Sequence, residues 1–100
     1  DRFGRSSASR FVARVEAECS AAGIRSTLNA PYAGGHILDR HARPAAGVHA
    51  IQLELDRSLY LDGGLNALGT GLAHTVALVR RILAAIEDEA LAQPLAIAAE

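Results

Sequence analysis

The 100-residue chain contains no lysine, no methionine and a single cysteine. One cysteine excludes an internal disulfide, which agrees with a reducing cytoplasm, the location that we expect. Cys19 lies at helical spacing from Phe11 and Val15 and is interpreted as a small core residue, with a nucleophile as the alternative. The first residues also lack an initiator methionine and a targeting pattern, so we expect the chain to begin within a domain.

The sequence has no large excess of charge of either sign. Its net charge is -1, so it lacks the excess of positive charge that is typical of proteins binding nucleic acid or an anionic membrane. No apolar run approaches the length that spans a bilayer. Since 50% of the residues are apolar, we expect a small soluble domain with a core and with neither nucleic acid nor membrane as a partner.

Two segments have the apolar spacing of amphipathic helices. The first covers residues 8–22, and Gly23 is placed to end it. The second covers residues 69–92, with Pro94 closing the pattern. The apolar stripe of this longer helix is predicted to consist of Leu72, Val76, Val79, Leu83 and Ile86.

Two segments between the helices predict strands, residues 24–28 and residues 48–55. The second is nearly continuous in apolar residues, which is typical of a strand buried on both faces. Strand periodicity places Gln52 and Glu54 on one face, with Glu54 near the carboxyl end, where open α/β sheets bind ligands. Helix, strand, loop, strand and helix together predict part of an α/β sandwich.

The loop between the predicted strands, about residues 29–47, is dense in polar chemistry. Loops of this length in compact domains are usually functional or disordered, and we interpret this one as a binding loop. Gly34 and Gly35 would bring main-chain N–H groups close to a ligand, and a plain tight turn is the alternative. His36 and His41 lack a third ligand at a recognisable spacing, so they indicate a metal site only weakly.

Three segments with uncommon amino-acid sequences resemble those of a known family. They are DRFG at residues 1–4, NAPYAGGHI at residues 29–37 and GVHAIQLELDRSLYLD at residues 47–62. In this order they resemble the C-terminal part of the N-formylglutamate amidohydrolase family. Members of that family resemble zinc carboxypeptidases in fold and hydrolyse the formyl amide of N-formyl-L-glutamate during histidine degradation.

The resemblance implies a fold and a domain arrangement. Residues 1–100 would be the C-terminal portion of a single amidohydrolase domain, part of a three-layer α/β/α sandwich with a mixed sheet. Zinc would be the cofactor, held by an upstream half that is absent from this chain, so no metal ligand is assigned here. The fragment alone is expected to be inactive.

The resemblance also implies roles for particular residues. Glu54 would be the general acid/base that moves a proton from a zinc-activated water to the departing amine. A buried structural carboxylate paired with an arginine such as Arg57 is the alternative. The substrate carries two carboxylates, which arginine binds well, so Arg57 and Arg40 are candidate ligands, with ion pairs as the alternative. The other candidate substrate contacts are Tyr32, Gly34, Gly35, His36 and His41, with Arg43 and Arg2 as weaker ones. His49 is interpreted as a hydrogen-bonded core histidine.

Two functions from different classes remain open. The first is a zinc amidohydrolase acting on a small N-formyl amino acid, with formylglutamate as the expected substrate and another N-acyl amino acid as a variant. The second is a non-catalytic interaction module that pairs through the long C-terminal helix. The oligomeric state is left open in both.

Overall fold

The structure is a computed structural model that describes residues 1–98, with the side chains of residues 1–92. The described part contains three α-helices: α1 (Ser9–Ala21), α2 (His36–His41) and α3 (Leu72–Ala98). Two short 3-10 turns lie at Pro44–Ala46 and Arg57–Leu59. Extended segments and turns connect these elements, and α1 packs against α3.

The predicted α/β/α sandwich with a mixed sheet is wrong. Residues 1–98 contain helices and two isolated antiparallel bridges, but no strand. The bridges pair Arg43 with Val48 and Leu61 with Leu68. The two predicted strands, residues 24–28 and residues 48–55, form no backbone hydrogen bond with each other in the described structure. Because a strand needs a second strand to complete its hydrogen bonds, an apolar alternation without a paired neighbour yields only an extended segment.

The core lies between α1 and α3. Val15 and Cys19 of α1 and Leu78 and Ile82 of α3 form one buried cluster. Cys19 is 5% exposed, which confirms its interpretation as a core residue. Burial raises the pKa of its thiol, and nearby Glu16 and Glu18 add to the effect, so the reactive thiolate is disfavoured.

The predicted first helix is confirmed to within one residue at each end. Gly23 follows its last turn with a φ of 73°, the left-handed conformation that glycine adopts readily. The N–H of Ile24 donates to the carbonyl of Cys19 at 2.9 Å, and the N–H of Gly23 donates to the carbonyl of Ser20 at 3.0 Å. This is the Schellman arrangement, and it turns Ile24 back onto the core cluster.

The long second helix is also confirmed, but its end and its buried face differ from the prediction. It continues past Pro94 to Ala98, although proline removes a helical hydrogen bond and crowds the preceding turn. Val76 and Leu83, assigned to the buried stripe, are 40% and 61% exposed. The buried residues of α3 are Thr75, Leu78, Ile82 and Ala85. The helix is apolar on more than one side, so only the position of α1 decides which side is buried.

Ion pairs flank the core on the outside. Nη1 of Arg14 lies 3.0 Å from Oδ2 of Asp88 and 3.2 Å from Oε2 of Glu89. The hydrogen bond to Asp88 is the main cause of a raised pKa at Arg14. Towards the other end of α1, Nε of Arg81 lies 3.8 Å from Oε2 of Glu18. These pairs show that α1 and α3 run antiparallel. No helix in the described part is long and apolar enough to cross a membrane.

The core cluster predicts a contrast between two leucines of α3. Leu78→Ala removes a side chain that is 0% exposed and should lower the free energy of unfolding by roughly 2–5 kcal/mol. Leu83→Ala changes the same residue type on the exposed side, and its effect should be within roughly 0.5 kcal/mol. Urea unfolding followed by circular dichroism measures both. Equal losses would show that the contact between α1 and α3 does not hold the fold together.

Candidate functional site

A groove of about 740 Å³ lies beside the core, between α1, α3 and the extended segments. Residues 23–34 form one wall, and residues 51–56 contribute another. Its volume falls within the range of small-molecule sites, about 300–1,000 Å³. Three of the predicted site residues line it: Glu54, Tyr32 and Gly34. Arg57, Arg40, His36, His41 and Gly35 do not belong to its lining.

Glu54 is exposed in the wall formed by residues 51–56. The side-chain amide of Gln52 donates from Nε2 to Oε1 of Glu54 at 2.8 Å. This bond confirms that the two residues share a face of the extended segment, as the sequence periodicity predicts. The alternative of a buried carboxylate paired with Arg57 is wrong, because Glu54 is exposed and the ion pairs of the described residues do not join it to Arg57.

The glycine turn is fixed by Arg2, which is distant in sequence. The backbone N–H of Arg2 donates to the carbonyl of Ala33 at 2.9 Å. The side chain donates from Nη1 to the carbonyl of Gly34 at 3.1 Å and from Nε to Oδ1 of Asp39 at 3.0 Å. In Arg2, a weaker candidate for binding a substrate carboxylate, Nε and Nη1 are therefore engaged with the protein itself.

Asn29 anchors the start of the same loop. Its Nδ2 donates to Oδ1 of Asp1 at 2.8 Å, and its Oδ1 accepts from the N–H of Phe3 at 3.3 Å. Arg2, Phe3 and Asn29 have φ values of 54°, 57° and 62°, a conformation uncommon outside glycine. Such strain persists only where surrounding contacts impose it, and it concentrates at functional sites. The sequence does not single out Asn29 or Asp39; the tolerance of asparagine for this conformation is the one local signal.

Both the backbone conformation and the limited space beside Leu38 require glycine at position 34. Its φ is 88°, and a Cβ there would collide with Cδ1 of the buried Leu38 and lie 3.6 Å from Cδ of Arg2. Gly35 differs, because nothing lies within 4 Å of a Cβ built on it. The tight turn is therefore required at Gly34, where the backbone passes close to α2.

The other predicted side chains lie near the surface. Tyr32 is 70% exposed, and His36, Arg40 and His41 are exposed on α2. Arg57 is exposed and begins the second 3-10 turn. Asp56 caps that turn, since its Oδ1 accepts from the N–H of Ser58 at 2.8 Å, and this bond lowers the pKa of Asp56.

Two residues considered from the sequence have structural contacts. Arg43 donates from Nη1 to the carbonyls of Asp39 and Ala42, so it is tied to the main chain around the end of α2. His49 accepts at Nδ1 from the N–H of Ala8 at 3.0 Å, and its ring centroid lies 4.4 Å from that of Phe11. The interpretation of His49 as a hydrogen-bonded core histidine is confirmed.

The charged side chains of the groove are mainly acidic. Arg25 is the basic residue of its lining, and the acidic ones are Asp1, Glu16, Glu54 and Asp56. The sequence does not single out Arg25, because it carries no motif and lies within residues 24–28, which were predicted to form a strand. No group of three His, Cys, Asp or Glu residues in the described part could hold a metal ion. The groove thus offers several carboxylates and hydrogen-bonding backbone groups, with little positive charge of its own.

Comparison with known families covers this same region. The model of the N-formylglutamate amidohydrolase family matches residues 1–61, which include Arg2, the glycine turn and Glu54. The chain belongs to this family. The predicted resemblance is therefore confirmed, and α3 lies beyond the matched residues.

Two curated relatives carry the same name, N-formylglutamate deformylase. The protein from Pseudomonas aeruginosa is 45% identical over 53 residues, which cover 52% of this chain and 20% of that protein. The protein from Pseudomonas putida is 40% identical over 50 residues, which cover 49% of this chain and 19% of that protein. The matched region thus spans about a fifth of the length of these relatives. No solved structure gives a significant match.

The geometry of the turn predicts different effects for its two glycines. Gly34→Ala places a side chain in a left-handed conformation against Leu38 and should lower the free energy of unfolding by roughly 1–3 kcal/mol. Gly35→Ala is the matched control, because its Cβ enters open space, and its effect should be clearly smaller. Urea unfolding of both variants checks this. A Gly34→Ala variant as stable as the unchanged chain would contradict the close approach of the turn to α2.

Proposed function

We propose that this chain forms part of an enzyme that hydrolyses N-formyl-L-glutamate to formate and L-glutamate. The observation that carries the proposal is the family match over residues 1–61, whose segments supply both Glu54 and Gly34 to one groove. The relatives named N-formylglutamate deformylase support the choice of substrate. The partner of the site would then be a small N-formyl amino acid.

In this proposal Glu54 is the general acid/base. Its carboxylate accepts a proton from the attacking water, whose oxygen forms a bond to the formyl carbon. As the bond between carbon and nitrogen breaks, the same carboxyl group returns the proton to the departing amine. The hydrogen bond from Gln52 holds Oε1 of Glu54, while Oε2 has no partner among the described residues. One oxygen is thus oriented and the other is left for proton transfer.

Zinc is proposed as the cofactor of the complete protein on the strength of the family resemblance alone. The described residues do not fit a zinc site, because they contain no group of three suitable side chains. The zinc ligands are therefore proposed to lie outside this chain, and residues 1–100 are proposed to be the C-terminal portion of one amidohydrolase domain. The roles given to Glu54 and Gln52 require only the groove itself.

The two carboxylates of formylglutamate require donors and positive charge. Within the groove lining, Arg25 supplies the charge. We propose the remaining candidates as further substrate contacts: Arg57, Arg40, His36, His41, Tyr32 and the main-chain N–H groups of Gly34 and Gly35. Arg57 and Arg40 are exposed and free of ion pairs in the described structure, so their side chains can reorient towards a ligand.

A second candidate function is an interaction module that pairs through α3. The specific observation in its favour is the exposure of Val76 and Leu83 on the side of α3 opposite the core. This helix also lies outside the residues that match the family. The two candidates differ in whether the protein turns over a formyl amide at all.

Formate release provides the direct test of the proposed function. The protein encoded by the complete reading frame should release formate from N-formyl-L-glutamate, and a zinc chelator should abolish the release until zinc is restored. The 100-residue chain alone should release none, since it lacks a metal site among its described residues. No release by the complete protein would reject the deformylase proposal, and release that persists with the chelator would reject the zinc requirement.

The role of Glu54 predicts a specific loss of turnover. Glu54→Gln in the complete protein should lower kcat by about 10²–10⁴-fold, the usual contribution of a general acid/base, and leave the zinc content unchanged. Glu16→Gln is the matched control, because Glu16 lines the same groove from α1. Steady-state kinetics and metal analysis measure these effects. Near-normal turnover by Glu54→Gln would remove Glu54 from the mechanism.

A further inference from the structure

Arg2 binds two consecutive carbonyl groups of the loop. Its backbone N–H donates to the carbonyl of Ala33, and its Nη1 donates to the carbonyl of Gly34. The two peptide bonds that follow these carbonyls are trans, since the one cis peptide among the described residues is Ala30-Pro31. In a planar trans peptide the N–H points opposite to the carbonyl. The N–H groups of Gly34 and Gly35 therefore point away from Arg2.

These two N–H groups are available as donors. Neither Gly34 nor Gly35 donates its N–H to another described residue. Gly34 lies in the lining of the groove that also contains Glu54. A polar backbone group that is unused by the protein must bind water or a ligand. Two such groups in sequence can together meet one carboxylate or carbonyl oxygen.

Arg2 is itself held firmly. Its Nε donates to Oδ1 of Asp39 at 3.0 Å, and its side chain is 24% exposed. Asp39 belongs to α2, which begins immediately after Gly35, so the ion pair links Arg2 to both sides of the glycine turn. The φ of 54° at Arg2 shows that its backbone is also constrained. Arginine suits this task because its planar fork can donate in two directions at once.

We infer that Arg2 is a positioning residue that turns the N–H groups of Gly34 and Gly35 towards an oxygen of the bound substrate. The inference rests on the proposed function, since it assigns a substrate contact to Gly34, which lines that groove, and to the adjacent Gly35. It assigns Arg2 an indirect role, because Nε and Nη1 of its guanidinium already donate to Asp39 and to the carbonyl of Gly34. The effect of Arg2 on the reaction passes through the backbone that it holds.

The kinetic test uses the protein of the complete reading frame. Arg2→Lys keeps the charge but cannot reach Asp39 and Gly34 with one planar group, so KM for N-formyl-L-glutamate should rise about tenfold while kcat changes less than about threefold. Asp39→Asn should also raise KM. The variant that carries both changes should have a KM no higher than that of Arg2→Lys alone, because both changes disrupt the same contact between Arg2 and Asp39. Arg5→Lys is the control, since Arg5 is exposed and forms no ion pair in the described structure.

A second measurement is independent of turnover. In protein labelled with ¹⁵N-glycine, the amide order parameters of Gly34 and Gly35 should fall in Arg2→Lys from about 0.85 towards 0.6, with no change in Tm. If the unchanged protein releases no formate, the proposed function fails, and the order parameters alone then decide whether Arg2 holds the N–H groups of Gly34 and Gly35 in place. The inference is overturned if Arg2→Lys leaves the order parameters of both glycines unchanged and, where turnover is measurable, leaves KM unchanged as well. A fall in Tm with rigid glycines would also overturn it, because Arg2 would then be merely structural.

Discussion

The contact between α1 and α3 is the constraint on which the rest of the described structure depends. The extended segments have no sheet to hold them, so their positions derive from what they touch. Ile24 and Ile51 pack against the buried cluster from opposite walls of the groove. The hydroxyl of Ser6 donates to the carbonyl of Ala50 at 2.8 Å, and the N–H of Ala50 donates to the carbonyl of Ser6 at 2.8 Å. The shape of the groove therefore depends on the packing of α1 against α3 and on the turn containing Ser6, which precedes α1.

The two sides of the groove are held in different ways. The side that carries Glu54 is positioned by hydrophobic burial, through Ile51, and by a single amide contact from Gln52. The side that carries Gly34 is held by directional hydrogen bonds from Arg2 and through Asn29. Burial tolerates small displacements, whereas hydrogen bonds fix orientation more strictly. This division suits the proposed site, in which a carboxylate moves protons while a backbone turn presents a fixed surface.

Helices α1 and α3 were predictable from the sequence because their signals are local, whereas α2 lies in the segment that was predicted as a loop. The apolar spacing of α1 and Gly23 at its end are both contained within a few turns, and both were confirmed. The predicted strands failed because pairing depends on a neighbour that the described residues do not provide. The buried face of α3 failed because apolar residues occupy several of its sides. The two segments that carry the family resemblance, around the glycine turn and around Glu54, contribute Gly34 and Glu54 to one groove. The hydrogen bonds of Arg2 join it to residues 32 and 37 positions away, which no local pattern reveals.

The ion pairs outside the core determine how α1 and α3 can be aligned. Apolar helix faces alone would tolerate a slip along their axes, because one aliphatic side chain can replace another. A slip of α3 by two turns, about seven residues, would bring Arg81 opposite Arg14 in place of Asp88. Like charges would then meet where opposite charges now attract, so the shifted pairing is penalised. These charged groups lie near the surface, so added salt weakens the preference for the observed alignment over the shifted one. The alignment of α1 with α3 therefore depends on ionic strength more than the burial of the core does.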